Sequence, residues 1–240
     1  MPTLEANGIT IYYEMRGEGE PLLMICGLAN DLTDVESIVR GLSQNLQVIA
    51  FDNRGAGRTD KPDTQYSIEM MAEDTAGLLG GLGMKHVNVL GISMGGRIAI
   101  SLTLGHPELV RTLVLASTIA RMTYKRGLLW SLSNFLVRIP MVRRIGTKYP
   151  QPYYAFVRQR EASRDYDATG RLQEIQVPTL ILHGKKDGFA PYPLAEEMHA
   201  GIRGSKMVTF DGGHLFVFSK QKEFIASITE FLEEQTTKPP

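Results

Sequence analysis

Residues 91–96 read Gly91-Ile92-Ser93-Met94-Gly95-Gly96, a Gly-x-Ser-x-Gly pattern between two apolar segments. Residues 86–90 before it are typical of a buried strand, and residues 97–104 after it are typical of a helix. A serine on such a tight turn has a strained backbone, and glycines beside it let neighbouring chain approach closely. The turn presents the hydroxyl beside a helix N-terminus, where free N–H groups favour negative charge. The pattern therefore predicts Ser93 as a nucleophile, the alternative being an ordinary turn in which Ser93 only caps the helix.

Short apolar runs alternate with helical patterns on both sides of this turn. Further strands are expected at residues 21–25, 47–51, 112–116, 178–182 and 206–210, and helices at residues 34–45, 67–82 and 192–201, with Ser67 as the cap of the second helix. The pair Asn7-Gly8 predicts a β-hairpin near the start of the chain. A closing helix is expected to run to about Glu233, with a frayed tail from residue 235. The order predicts an α/β fold with a mostly parallel central sheet and helices on both faces.

The alternation stops between residues 118 and 177, where no strand-like apolar run occurs. This segment contains 11 basic and 4 acidic residues, whereas the whole chain has a net charge of zero. We interpret residues 118–177 as a helical insertion over the sheet, and residues 1–117 and 178–240 as the core. The positive charge either attracts an anionic substrate or forms a solvated surface.

Length and composition exclude several functional classes. A chain of 240 residues with zero net charge has no electrostatic footprint for nucleic acid. No apolar run approaches the roughly 18 residues that a membrane span needs. The single cysteine, Cys26, fits a reducing compartment, and residues 1–6 do not resemble a signal peptide. We therefore expect a cytoplasmic protein with neither a membrane span nor a nucleic-acid partner.

A serine nucleophile needs a base to take its proton and a third group to orient that base. His214 lies on a glycine-flanked loop after the last predicted strand, at the same sheet edge as Ser93. Asp187 follows the strand before it and is the preferred acid, while Asp211, three residues before His214, remains the alternative. We assign structural or surface positions to the remaining histidines, which are His86, His106, His183 and His199.

Four jointly spaced motifs resemble the α/β-hydrolase superfamily over about residues 1–234. They are the Ser93 turn, the Asp52-Asn53-Arg54-Gly55-Ala56-Gly57-Arg58-Thr59 turn, His183-Gly184-Lys185-Lys186-Asp187, and Gly212-Gly213-His214. The chain looks most similar to the small esterase and lactonase branch, including 3-oxoadipate enol-lactonases and carbon–carbon bond hydrolases. The resemblance implies an α/β-hydrolase fold in which residues 118–177 form the cap over the active site.

The same resemblance implies a catalytic triad of Ser93, Asp187 and His214 that cleaves a small-molecule ester or lactone through an acyl-enzyme. No cofactor or metal is required. The backbone N–H groups of Met94 and Leu28 would form the oxyanion hole. Leu28 follows Cys26-Gly27, where relatives usually carry His-Gly, and we interpret Cys26 as a packed residue. Three apolar residues of the cap are candidates for the substrate pocket, or only pack the cap onto the core: Leu128, Trp130 and Phe135.

Two other functions use the same three residues. One is a ligand receptor or signalling protein that retains the triad, and the other is a cofactor-free perhydrolase or haloperoxidase-type enzyme. Serine at position 93 excludes haloalkane dehalogenases and epoxide hydrolases, because those relatives carry aspartate there.

Overall fold

The computed structural model describes residues 2–122 and 148–237. The strands are β1 (Thr3–Ala6), β2 (Ile9–Arg16), β3 (Pro21–Ile25), β4 (Gln47–Phe51), β5 (Val87–Ile92), β6 (Val110–Ala116), β7 (Thr179–Gly184) and β8 (Lys206–Phe210). The helices are α1 (Glu36–Leu42), α2 (Ile68–Gly81), α3 (Met94–Gly105), α4 (Tyr153–Asp165), α5 (Tyr192–Gly201), α6 (Phe216–Ser219) and α7 (Gln221–Thr236). The predicted pocket residues Leu128, Trp130 and Phe135 lie outside the described residues.

The eight strands form one sheet in the order β1-β2-β4-β3-β5-β6-β7-β8. The β1–β2 and β2–β4 pairs are antiparallel, and all pairs from β4–β3 to β7–β8 are parallel. The parallel strands end at a common edge, which therefore gathers the loops that follow β3, β4, β5, β6, β7 and β8. The predicted α/β class with a mostly parallel sheet is confirmed.

Local sequence signals account for several of these elements. Asn7 and Gly8 have φ values of 48° and 75°, as a two-residue hairpin turn requires, and Ala6 pairs with Ile9 across it. The Ser67 side chain accepts a hydrogen bond from the N–H of Met70 and so caps α2. Both features were expected from the sequence.

Most of the core lies in two apolar layers, one on each face of the sheet. Leu23 and Ile25 of β3 pack in the layer that contains α2 and α3, whereas Leu22 and Met24 pack in the layer that contains α1 and α7. Strands buried on both faces explain the continuous apolar runs in the sequence.

Some boundaries differ from the predicted ones. Helix α1 is shorter than the predicted 34–45 and covers Glu36–Leu42. The closing helix is divided into α6 and α7, and α7 continues to Thr236, so the frayed tail predicted from residue 235 is wrong at its start.

Residues 148–177 contain α4 and a 3-10 turn, Thr169–Glu174. The division into a core and a cap at 118–177 stays a prediction. Across residues 2–122 and 148–237, none of the helices combines the length and apolar character that crossing a membrane demands.

Candidate active site

The turn between β5 and α3 holds Ser93 in an unusual backbone conformation. Its φ is 55° and its ψ is −117°, a combination that non-glycine residues rarely adopt. The turn needs the two glycines of the motif, because a side chain at either position would collide with neighbouring backbone. A Cβ on Gly95 would lie 2.1 Å from the carbonyl oxygen of Ile25, and a Cβ on Gly91 would lie 2.5 Å from that of Gly95. The pattern Gly-x-Ser-x-Gly is therefore required by the close packing of β3, β5 and α3.

His214 lies in the loop between β8 and α6, and its imidazole reaches Ser93. The distance from His214 Nε2 to Ser93 Oγ is 3.0 Å, which is within hydrogen-bonding range. The His214 side chain is 19% exposed, so most of the ring is packed against protein. This geometry allows the ring to take a proton from the hydroxyl.

Asp187 follows β7 and contacts the other ring nitrogen. Its Oδ2 lies 2.8 Å from His214 Nδ1, and its Oδ1 accepts hydrogen bonds of 2.8 Å from the N–H groups of Phe189 and Ala190. Burial alone would raise the pKa of Asp187, but the hydrogen bonds from His214, Ala190 and Phe189 hold that pKa below its ordinary value. The carboxylate is thus charged at neutral pH and fixed in orientation.

The alternative acid, Asp211, points elsewhere. Its side chain is 79% exposed and forms an ion pair of 2.7 Å with Lys186. His183 is wholly buried, and its Nε2 lies 2.8 Å from the carbonyl oxygen of Ala190. The structure therefore brings Ser93, His214 and Asp187 together and leaves Asp211 outside the site.

The loop after β3 lies against the serine turn. A Cβ on Gly27 would lie 3.4 Å from the Ser93 Cβ. Among the described residues, neither the N–H of Leu28 nor that of Met94 donates a hydrogen bond to a protein group. The role of these two N–H groups as the oxyanion hole stays a prediction. Cys26 is wholly buried and burial raises the pKa of its thiol, as expected for a packed residue rather than a nucleophile.

Two polar residues after β6 support the site, and the sequence reasoning assigned them no role. The Ser117 hydroxyl donates a 2.8 Å hydrogen bond to the carbonyl oxygen of His214. The Thr118 hydroxyl donates one of 2.7 Å to the carbonyl oxygen of Ser93. Their signal in the sequence is a polar pair that directly follows a strand ending at the same sheet edge as Ser93.

The turn after β4, residues 52–59, braces the loop after β3. Asn53 Nδ2 donates a 2.9 Å hydrogen bond to the carbonyl oxygen of Cys26, and Asp52 Oδ1 accepts one of 2.8 Å from the N–H of Leu32. The buried guanidinium of Arg54 binds both carboxylate oxygens of Asp74 in α2. The Asp-Asn-Arg-Gly turn, which the sequence analysis singled out as a motif, therefore supports the loop after β3.

Within residues 2–122 and 148–237, no group of three or more His, Cys, Asp or Glu side chains is arranged to hold a metal ion. The contacts among Ser93, His214 and Asp187 can support proton transfer from the serine hydroxyl to the imidazole, whose second nitrogen faces the carboxylate.

The mostly parallel sheet, the serine turn and the facing histidine define the class of α/β hydrolases. The alpha/beta hydrolase fold family matches residues 20–151, which is more than half of the chain, and the TAP-like protein family matches residues 156–239. The chain belongs to the alpha/beta hydrolase family. The family and the enzyme class, a hydrolase, are thus confirmed.

Individual relatives are similar over most of their length. The poly(3-hydroxyalkanoate) depolymerase of Ectopseudomonas oleovorans is 28% identical, over 90% of this chain and 85% of its own. The esterase of Exiguobacterium antarcticum is 27% identical with a TM-score of 0.84, covering 96% of this chain and 98% of that chain. The enol-lactonase of Burkholderia xenovorans shares the fold, with a TM-score of 0.85 at 23% identity, covering 97% and 100%.

Proposed function

We propose that this protein is a serine hydrolase that cleaves a small-molecule carboxylic ester or lactone through an acyl-enzyme on Ser93. One observation carries the proposal, namely the unbroken contact chain from Ser93 Oγ through both nitrogens of His214 to Asp187. A serine hydroxyl is a weak nucleophile at neutral pH, and this arrangement is the one that activates it.

In the acylation step, Ser93 Oγ attacks the substrate carbonyl carbon while His214 Nε2 takes the hydroxyl proton. Asp187 stabilises the resulting imidazolium through its contact with Nδ1. The N–H groups of Met94 and Leu28 would bind the oxyanion, and each such donor contributes on the order of 3 kcal/mol to the transition state. The tetrahedral intermediate then loses the alcohol, which leaves with the proton that His214 holds.

In the deacylation step, His214 Nε2 removes a proton from water, and the hydroxide attacks the acyl carbon. The second tetrahedral intermediate collapses to the carboxylic acid and returns the proton to Ser93 Oγ. For a lactone, the leaving alcohol stays covalently attached to the acyl group, so one ring-opened hydroxy acid is the product. The cycle needs no cofactor.

The similarity to the Exiguobacterium esterase, at 27% identity over nearly the whole chain, supports an ester among the possible carbonyl substrates. The depolymerase at 28% identity is a second relative whose name describes breakdown of a poly(3-hydroxyalkanoate). The cytoplasmic location expected from the sequence stays a prediction.

The test is a panel of p-nitrophenyl esters and simple lactones assayed with the wild type and Ser93→Ala. We expect rapid multiple turnover by the wild type and a loss in kcat on the order of 10⁶-fold in Ser93→Ala, the usual cost of removing a triad serine. Mass spectrometry of acid-quenched wild-type enzyme should show the acyl group on the peptide containing Ser93.

Full activity of Ser93→Ala would overturn the mechanism. A single slow turnover that leaves a stable adduct would instead favour a receptor that retains the three residues. Activity that appears only with hydrogen peroxide would favour the perhydrolase alternative.

A further inference from the structure

Gln159 is a wholly buried amide that joins helix α4 to two loops of the core. Its Oε1 accepts a 3.1 Å hydrogen bond from the N–H of Ala29, and its Nε2 donates a 2.7 Å hydrogen bond to the carbonyl oxygen of Arg54. Both ends of the amide are therefore used, each by backbone. A buried polar side chain with this pairing fixes two loops relative to each other.

The first of these loops carries the candidate oxyanion donor. Ala29 directly follows Leu28, and its φ of 64° lies in the left-handed region that disfavours residues other than glycine. The N–H of Ala29, which Gln159 binds, belongs to the peptide group between Leu28 and Ala29. The preceding peptide group, between Gly27 and Leu28, contains the Leu28 N–H. The N–H of Asn30 donates to the carbonyl oxygen of Gly27 at a long 3.4 Å. The local conformation therefore depends on outside support.

The second contact gives Gln159 a firm anchor. The Arg54 side chain is buried and binds both oxygens of Asp74, with Nε to Oδ2 at 2.7 Å. The adjacent Asn53 side chain binds the carbonyl oxygen of Cys26, at the other end of the same loop. The loop after β3 is thus held at Cys26 by the turn after β4 and at Ala29 by Gln159.

We propose that Gln159 is a positioning residue that fixes the Leu28 N–H toward the oxyanion. This inference rests on the proposed function. An oxyanion donor acts only when it is held about 2.7–3.1 Å from the developing charge, so loss of orientation reduces transition-state binding more than ground-state binding. Gln159 then acts on catalysis through the loop after β3 and not through contact with the reacting atoms.

The test compares Gln159→Met with Tyr154→Phe in p-nitrophenyl ester hydrolysis. Methionine has a similar length but cannot hydrogen-bond in this way. Tyr154 is the matched control, because its hydroxyl also joins α4 to the core but donates its 2.6 Å hydrogen bond to the carbonyl oxygen of Lys61, outside the loop after β3. We expect Gln159→Met to lower kcat about tenfold or more with KM within about twofold, and Tyr154→Phe to leave both near wild type.

A second readout separates positioning from general destabilisation. Phenylboronic acid forms a tetrahedral adduct with an active-site serine and mimics the oxyanion, so its Ki should rise in Gln159→Met by about the same factor as kcat falls. Gln159→Leu removes the same two hydrogen bonds with a different apolar side chain, so it should give the same two losses, and it carries the test if Gln159→Met does not fold. Assays are run well below the melting temperature of each variant.

Wild-type kcat and boronate affinity in folded Gln159→Met would overturn this inference alone, as would equal losses in Tyr154→Phe. Absence of Ser93-dependent turnover in the wild type would overturn the proposed function and this inference with it. The two failures are therefore distinguishable in one set of assays.

Discussion

The Ser117 hydroxyl donates a 2.8 Å hydrogen bond to the backbone carbonyl oxygen of His214. Ser117 is buried at the end of β6, which lies between β5 and β7, the strands that lead to Ser93 and Asp187. Thr118 binds the carbonyl oxygen of Ser93 in the same way. One strand end thus holds the backbones of both residues whose side chains meet at 3.0 Å.

Replacing Ser117 should therefore disturb His214 without removing any reacting group. We expect Ser117→Ala to lower kcat on the order of tenfold and the free energy of unfolding by about 1 kcal/mol, the usual cost of one lost hydrogen bond. Ester hydrolysis and urea unfolding measure the two effects. Ser227→Ala is the matched control, since its hydroxyl makes an exposed hydrogen bond within α7. A Ser117→Ala enzyme within twofold of the wild-type kcat would contradict the proposed support.

Asp187→Asn should lower kcat on the order of 10⁴-fold, because an amide cannot hold the required tautomer of His214 as the carboxylate does. Asp211→Asn should leave kcat unchanged, since the Asp211 side chain is 79% exposed and pairs with Lys186. Steady-state hydrolysis of one p-nitrophenyl ester by both variants measures the difference. The reverse result would transfer the acid role to Asp211.

The hydrogen bonds to Asp187 also predict how stability depends on pH. They lower its pKa in the folded protein below the ordinary 3.8, so the folded state favours the charged form. The stabilisation is present above that value and is lost as the pH falls through the lower folded pKa. Wild type should therefore lose more unfolding free energy than Asp187→Asn between about pH 5 and pH 2, measured by urea unfolding at each pH. Parallel curves for the two proteins would refute this contribution.

Replacement by methionine should change the stability of the protein differently at two buried arginines. Arg97 contacts Ser163 Oγ and Met122 Sδ, has no carboxylate within ion-pair distance among the described residues, and residues 123–147 contain no acidic side chain. Burial lowers the pKa of Arg97 to about 10, so its charge opposes folding at neutral pH. Arg54, in contrast, is paired with the buried carboxylate of Asp74.

We expect Arg97→Met to keep or raise the melting temperature. Arg54→Met should cost about 3–5 kcal/mol, because it leaves the Asp74 carboxylate buried without its cation. Differential scanning calorimetry of the two variants gives the comparison. A large fall in the melting temperature of Arg97→Met would show that its contacts outweigh the burial of its charge.

Sequence reasoning succeeded where the structural cause is local. The Asn7-Gly8 turn and the Ser67 cap of α2 each act on residues within a few positions, so the pattern contains the whole cause. The glycines around Ser93 were recognised as a motif, although Gly95 is required by a distant contact, the close approach of Ile25 in β3. Chain order along a parallel sheet was also sufficient to place Ser93, Asp187 and His214 at one edge. The three residues follow β5, β7 and β8, which lie close together in the sheet.

The rest depended on contacts between distant parts of the chain. Asp187 and Asp211 both follow strands at the correct edge, and only the path of each loop decides which carboxylate faces His214. Gln159 had no signal at all, because a glutamine in a helix is ordinary until its two backbone partners, 130 and 105 residues away, are known. Side chains that bind backbone over such separations are set by packing rather than by pattern.

The one cysteine of the chain gives a direct measure of loop opening. Cys26 is wholly buried, and burial raises the pKa of its thiol, so the folded protein should react slowly with a thiol reagent such as Ellman's reagent. Labelling then requires local or global unfolding of the segment between β3 and Ala29, and its rate reports how often that segment opens. Because no other thiol competes, the wild-type sequence can be used for this kinetic measurement without engineered labels.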